Sequence, residues 1–479
     1  MESNERLSGR SKLSYALGAV GKDMVYMLSA SYVLYYFQDL LGVSAVAMGI
    51  ILMAARVFDA FNDPIMGVIV AKTKTRWGKF RPWLLIGTVT NAVILFLMFA
   101  APPKLDGAGL TAYAAVFYIL WGVTYTMMDI PYWSMIPAFT QGGKERENLT
   151  TLARTCAGVG SAIITIATMA VVPMLGKMIG GVEGNAGEIV GFKFFSLIVA
   201  ALFVLFTVLM CVNIKEKSTA EMKTAGVGEM FRALVQNDQA MTVTLTIVLI
   251  NLSIYITSNL VIYFFKYDFG GTGWNNAYVL FNMFGGAIQV LSMMAFYPLL
   301  RRRFSSLQIF YICLGMAVVG YAVLLLLAFT NMSSVFVLFI PAFFIFAANG
   351  MLTVITTVFL ANTVDYGELK NNRRDESVIF SMQTFVVKLA SGVAALVASI
   401  CLSLTHLQSG TDVSEADAAF DFSAAVTLSQ KTGLRMTMAL IPIIGLIIAF
   451  FWFKKRYRLT DQRLAEIESE LNARHAKGA

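Results

Sequence analysis

Residues 191–213 read GFKFFSLIVAALFVLFTVLMCVN, and residues 214–238 that follow read IKEKSTAEMKTAGVGEMFRALVQND. The first stretch is long enough to cross a bilayer core of about 30 Å as a helix, which takes roughly 20 apolar residues. The second is polar and is the longest such break inside the chain. Working outward from this boundary, apolar runs occupy 13–37, 44–71, 82–101, 110–138 and 148–176 before it. After it come 239–265, 274–299, 307–329, 334–362, 377–405 and 433–453. With 191–213 this makes twelve spans, six on each side of the break. Each is expected to be helical, because hydrocarbon leaves a lone strand's backbone groups unpaired.

Composition agrees. The 479 residues are 57% hydrophobic and only 14% charged, against about 25% in soluble proteins. A water-facing globule of this size would lack polar surface. The four cysteines, Cys156, Cys211, Cys313 and Cys401, lie in apolar runs without paired spacing and read as small buried residues. His406 and His475 form no metal motif, and no phosphate-binding glycine loop or nucleophile elbow is present. An enzyme is therefore not expected. Met1 to Lys12 is polar and the first apolar run is too long for a signal core, so it is expected to stay as a span.

Charge sets the orientation. About 27 of the 37 Lys and Arg fall on the side that holds the N-terminus, which the positive-inside rule makes cytoplasmic. They include Lys72, Lys74, Arg76, Lys79 and Arg81 in one loop, Arg301 to Arg303, and Lys454, Lys455, Arg456 and Arg458. The net charge of +8 is thus a topology signal, and nucleic acid is not an expected partner. The expected organisation is a six-helix bundle over 1–213, a cytoplasmic linker at 214–238, a second six-helix bundle over 239–453, and a cytoplasmic tail over 454–479. Both termini are cytoplasmic in this scheme. The halves echo each other: Lys144-Glu145-Arg146-Glu147 and Arg373-Arg374-Asp375-Glu376 each lead into a span with one deep cation, Arg154 and Lys388. In the tail, Leu464, Ile467 and Leu471 share one helical face behind Thr460, a plausible N-cap.

Eight charges lie well inside apolar spans, where each costs several kcal/mol: Lys22, Asp23, Arg56, Asp59, Asp63, Asp129, Arg154 and Lys388. At about 100° per residue, Arg56, Asp59 and Asp63 fall within about 60° of arc. Pro64 cannot donate to the Ala60 carbonyl and leaves that oxygen available. Carboxylates with a freed carbonyl suit a hard monovalent cation or a shared proton. An internal salt-bridge stripe is the bland alternative, and two acids against one base favour the ion. In the fourth span, Gly122, Tyr125, Thr126, Asp129 and Trp133 fall within roughly 100° of arc. A ring that covers C–H faces beside an acid that accepts hydroxyl protons is suited to a sugar. Lys22 and Asp23 are adjacent, point about 100° apart and are not expected to make an ideal pair. Arg154 can donate in a fork, and Lys388 lies near Gln383 and Thr384 in sequence. Asp365 is expected to pair with basic loop residues when an inner gate is shut, with Arg373 and Arg374 as gate candidates.

The stretches KLSYALGAVGKD (12–23), ARVFDAFNDPIMG (55–67), TRWGKFRPW (75–83), ILWGVTYTMMDIPYWS (119–134), VDYGE (364–368) and QTFVVK (383–388) together resemble the melibiose permeases. Those proteins are glycoside–pentoside–hexuronide:cation symporters of the major facilitator fold. The resemblance spans almost the whole chain in order. It implies a multi-pass plasma (inner) membrane symporter, monomeric, with no cofactor and with Na⁺, Li⁺ or H⁺ as coupling cation. It implies cation binding by Asp59 and Asp63 with Thr126, Gly122 and Asn62. It implies that Asp23, Lys22, Asp129, Trp133 and Arg154 hold a glycoside, with Tyr125, Gln383, Thr384 and Lys388 close by. One position departs: where melibiose permeases carry Trp in the tenth span, a small residue stands near Thr353. A lipid or lysolipid symporter on the same scaffold is the rival reading. It would need an apolar lateral opening, which Arg154, Asp129 and Asp23 argue against.

Overall fold

In the computed structural model the described residues are 7–140, 143–182, 184–214, 216, 232, 234–271, 274–330, 332, 334–371, 376–407 and 421–478. Helices account for nearly all of them. They are α1 (Gly9–Leu34, continued by a π-helical Tyr35–Leu40), α2 (Ala45–Lys72), α3 (Arg81–Met98), α4 (Gly107–Phe139), α5 (Gly143–Leu175, then π-helical Gly176–Gly180) and α6 (Gly184–Asn213). After the linker come α7 (Asp238–Phe264, then π-helical Phe265–Phe269), α8 (Trp274–Leu291, running on through Ser292–Phe296 and Tyr297–Arg301), α9 (Ser306–Thr330), α10 (Val335–Asn371) and α11 (Glu376–Leu404). The last rod, α12, is continuous over Leu428–Arg456, and α13 (Asp461–Gly478) is the tail.

Among the described residues, ten of these helices are long and apolar enough to cross a membrane, and α1 and α2 match them in length. The twelve expected spans are therefore all present. Several extend past their apolar runs: α10 reaches Asn371 and α5 starts at Gly143, whereas the runs stop at 362 and begin at 148. Hydropathy marks where lipid begins, and a helix does not have to end there. The sequence Asp365-Tyr366-Gly367-Glu368 thus lies in the last turns of α10.

The chain packs as two compact units. The first takes in Met1–Asn237 with Ala361–Phe385 and Leu464–Ala479, and the second Asp238–Leu360 with Val386–Arg463. In the first unit α1 lies against α5 and α6, α3 against α4 and α6, and α2 against α4. Two glycines allow these approaches. A Cβ at Gly87 of α3 would meet the Met128 backbone nitrogen of α4 at 2.8 Å, and one at Gly160 of α5 would run into the Val20 carbonyl of α1. The stretch Ile130–Thr140 of α4 is buried on every side, as its all-round apolar sequence requires. In the second unit α12 packs against α7 and α9, and Arg435 forks onto Asp268 with both bonds at 2.7 Å.

The tail helix begins as its sequence predicts. Thr460 accepts from the Arg463 amide at 3.3 Å, and Ile467 and Leu471 are buried.

Candidate functional site: a charged cluster on α1, α2, α4 and α5

The site is built on the fourth helix. Thr126 and Asp129 stand one turn apart on α4 and face different partners. The Thr126 hydroxyl donates to Asp63 Oδ1 at 3.0 Å, and Asp63, on α2, is fully buried. One turn earlier on α2, the carboxylate of Asp59 lies directly on Gly122, whose missing side chain leaves the space it fills. Asn62 stands between the two acids, with its amide nitrogen buried and without a hydrogen-bond partner in the protein. Arg56, the base of the stripe, is exposed.

One turn further along α4, Asp129 Oδ1 is 2.8 Å from Lys22 Nζ and accepts from Trp133 Nε1 at 3.2 Å. Lys22 also reaches Asp23 Oδ2 at 3.1 Å and donates to the Tyr125 hydroxyl at 3.0 Å. This corrects the expectation that Lys22 and Asp23 do not pair. Backbone directions 100° apart do not prevent it, because four methylenes let the ammonium swing back beside its neighbour. Lys22 is only 4% exposed, so its charge is balanced by two carboxylates rather than by water. Arg154 of α5 lies over the Trp133 ring, with its Cζ 3.7 Å from the ring centre. A cation this close to an indole face is attracted by the ring and held beside it.

Sequence reasoning missed Tyr15 and Tyr132. Their rings stack at 4.5 Å, the Tyr15 hydroxyl donates to the Tyr132 carbonyl at 2.5 Å, and the Tyr132 hydroxyl donates back to the Tyr15 carbonyl at 2.9 Å. This reciprocal clasp pins α1 to α4 beside Lys22. The hint in the sequence was a tyrosine in each of two apolar spans, each hydroxyl needing a partner once buried. Gln383 and Thr384 belong to the same unit as α1–α6, and the Thr384 hydroxyl turns back onto the Phe380 carbonyl. Lys388 belongs to the second unit and is partly exposed.

Asp365 makes a different contact. Its Oδ2 is 2.6 Å from Arg146 Nη1, and Arg146 is buried with further bonds to Thr140 Oγ1, the Ala361 carbonyl and Asn362 Oδ1. The partner comes from the charged stretch after the fourth apolar run, which the structure makes the first turn of α5. Arg373 and Arg374 lie outside the described residues. The tail closes over this group: burial raises the Glu468 carboxyl above its usual range, Arg146 opposes that rise, and Asp365 and Glu145 add to it.

Residues 14–461 match the family described as MFS/sugar transport protein. The chain belongs to that family. Similar relatives include "Uncharacterized symporter YjmB" of Bacillus subtilis (strain 168), 29% identical and covering 98% of this chain and 97% of the relative. "Isoprimeverose transporter" of Lactiplantibacillus pentosus is 26% identical over 96% of this chain and 91% of the relative. "Inner membrane symporter YicJ" of Escherichia coli (strain K12) is 26% identical over 98% and 96%. Among solved structures, the proton:xylose symporter XylE superposes with a TM-score of 0.63 at 14% identity, covering 96% of this chain and 98% of that one. As a member of the MFS/sugar transport family the chain is a multi-pass plasma-membrane transporter with the twelve-helix major facilitator fold, and it is not an enzyme. The resemblance to the glycoside–pentoside–hexuronide:cation symporters holds.

Proposed function

We propose that the protein is a cation-coupled symporter that imports a glycoside by alternating access, with residues 1–213 and 239–453 as the two working bundles. The observation that carries this reading is the pair of polar clusters set one turn apart on α4. Thr126 faces Asp63, and Asp129 faces Lys22 and Trp133. The names of the relatives, lactose permease and raffinose carrier protein among them, support sugar as the cargo class.

In this reading a small monovalent cation, Na⁺ first and Li⁺ or H⁺ otherwise, settles among Asp59, Asp63, Thr126 and Asn62, with Gly122 leaving room for the Asp59 carboxylate. The acids of the second helix then no longer repel the next turn, and α4 holds Asp129 in the register the sugar needs. Asp129 and Asp23 accept hydroxyl protons, Arg154 donates, the Trp133 and Tyr125 rings cover C–H faces, and Lys22 is the counter-ion of both acids. Gln383, Thr384 and Lys388 complete the set. Binding of each ligand favours the other by the same factor. A membrane potential of 100 mV supplies about 2.3 kcal/mol per charge. A tenfold cation gradient adds about 1.4 kcal/mol. Together, at one cation per sugar, they sustain accumulation of roughly a few hundred-fold. The Arg146–Asp365 pair acts as an inner latch that must open for release, assisted by Arg373 and Arg374. The test is uptake of a panel of labelled glycosides into vesicles, with and without an imposed Na⁺, Li⁺ or proton gradient. Uptake of none, under any gradient, overturns the reading.

A further inference from the structure

On the outer face of the first unit, α3 and α6 form an apolar groove of about 780 Å³. Its floor is low because alanines stand there: Ala92 and Ala200 are nearly buried and Ala201 adds no bulk. Its walls are high because branched side chains flank them, with Val93 52%, Leu197 46% and Leu205 52% exposed. Along α6 the groove runs from Leu197 to Val208, about 16 Å at 1.5 Å per residue. The groove is centred on the middle of the 191–213 run, so it crosses the bilayer midplane, and its outer half ends one turn below Lys193.

The end nearer the external face is marked by a cation. Lys193 lies four residues before Leu197, on the same face of α6 and one turn outward, with its side chain exposed. Its carbonyl takes the Ser196 hydroxyl at 2.9 Å, while the ammonium stands over the Phe194 ring at 6.0 Å from the ring centre, with no hydrogen bond or ion pair to it among the described residues. Few Lys and Arg stand on the external side, so one aligned with an apolar groove is notable. A lysine long enough to reach the interface from the edge of the core places its charge at phosphate depth.

We propose that this groove is a binding site for one phospholipid of the outer leaflet, with an acyl chain laid between α3 and α6 and the headgroup phosphate on Lys193. The cation at the external end of an apolar, exposed groove favours a phospholipid over a protein helix, which would need no phosphate partner. Native mass spectrometry of the purified full-length protein, titrated with palmitoyl-oleoyl phosphatidylglycerol, tests it. Wild type is expected to retain one phosphatidylglycerol more than Ala201→Phe, in which the ring fills the groove from an exposed position. Lys193→Gln is expected to bind that lipid roughly fivefold more weakly, the loss for one basic charge at a membrane surface. Retention by both variants equal to wild type overturns the proposal. Efficient disulfide cross-linking of Ala201→Cys between copies in native membranes also overturns it, by giving the face to a second copy of the chain.

Discussion

Replacing Gly122 by alanine adds one methyl group at the tightest point of the ion cluster. A Cβ there would sit inside the contact radius of Asp59 Oδ1, with the carbon of that carboxylate at 3.2 Å. The two helices carry the bodies of α2 and α4, so the carboxylate is what gives way. It can do so by leaving its rotamer, which costs roughly 0.5–1.5 kcal/mol, or by pushing the helices apart, where overpacking costs about 1–3 kcal/mol. Either way the acid leaves the position it shares with Asp63 and Thr126. The apparent affinity for the coupling cation should fall by roughly two- to a hundredfold, since 1.4 kcal/mol is about a factor of ten. Sugar affinity at saturating cation should change far less, because Asp129, Lys22 and Trp133 are one turn removed. The assay is equilibrium binding of a labelled glycoside to purified protein while Na⁺, Li⁺ or pH is titrated. Gly87→Ala serves as contrast: its Cβ meets backbone of α4 at 2.8 Å and 3.0 Å, which cannot swing aside, so it should lower thermal stability without a selective effect on the cation. A cation titration of Gly122→Ala within twofold of wild type would refute the assignment of Asp59 to the ion.

Asp59→Cys and Asp63→Cys should each abolish cation-stimulated uptake while some sugar binding survives; full stimulation in both variants removes these acids from the site. Asp129→Cys should lose sugar affinity above all, since it strips partners from Lys22 and Trp133 at once, and a normal affinity in direct binding moves the pocket elsewhere. Asp365→Asn should make the inner cavity easier to label from the cytoplasmic side, because Arg146 loses a charged bond worth about 1.5–3 kcal/mol; unchanged labelling rejects the latch. Glu468 is held above its usual range by burial, so the docked tail favours the protonated acid. Docking is therefore strongest below the unfolded pKa and weakens as pH rises through the folded one. Glu468→Gln should slow amide hydrogen exchange across residues 461–478 at neutral pH and flatten its pH dependence, and exchange that keeps the wild-type pH profile excludes this cause.

Hydropathy is a local property of the chain, so the number of spans, their helical state and their orientation were readable before any coordinates. The same holds for which charges lie in the membrane, and for the helical faces on which Asp59 and Asp63, or Thr126 and Asp129, must share a side, since 100° per residue dictates it. Contacts between helices are another matter. That Lys22 bends back to Asp23 while bridging to Asp129, that Tyr15 and Tyr132 clasp each other, and that Arg146 takes Asp365 all depend on the axial register of helices far apart in sequence. The groove beneath Lys193 depends likewise on how closely α3 approaches α6. Periodicity along one helix carries no information about its rotation against another; packing of small residues such as Gly87 and Gly160 sets that, and only the tertiary structure reports it.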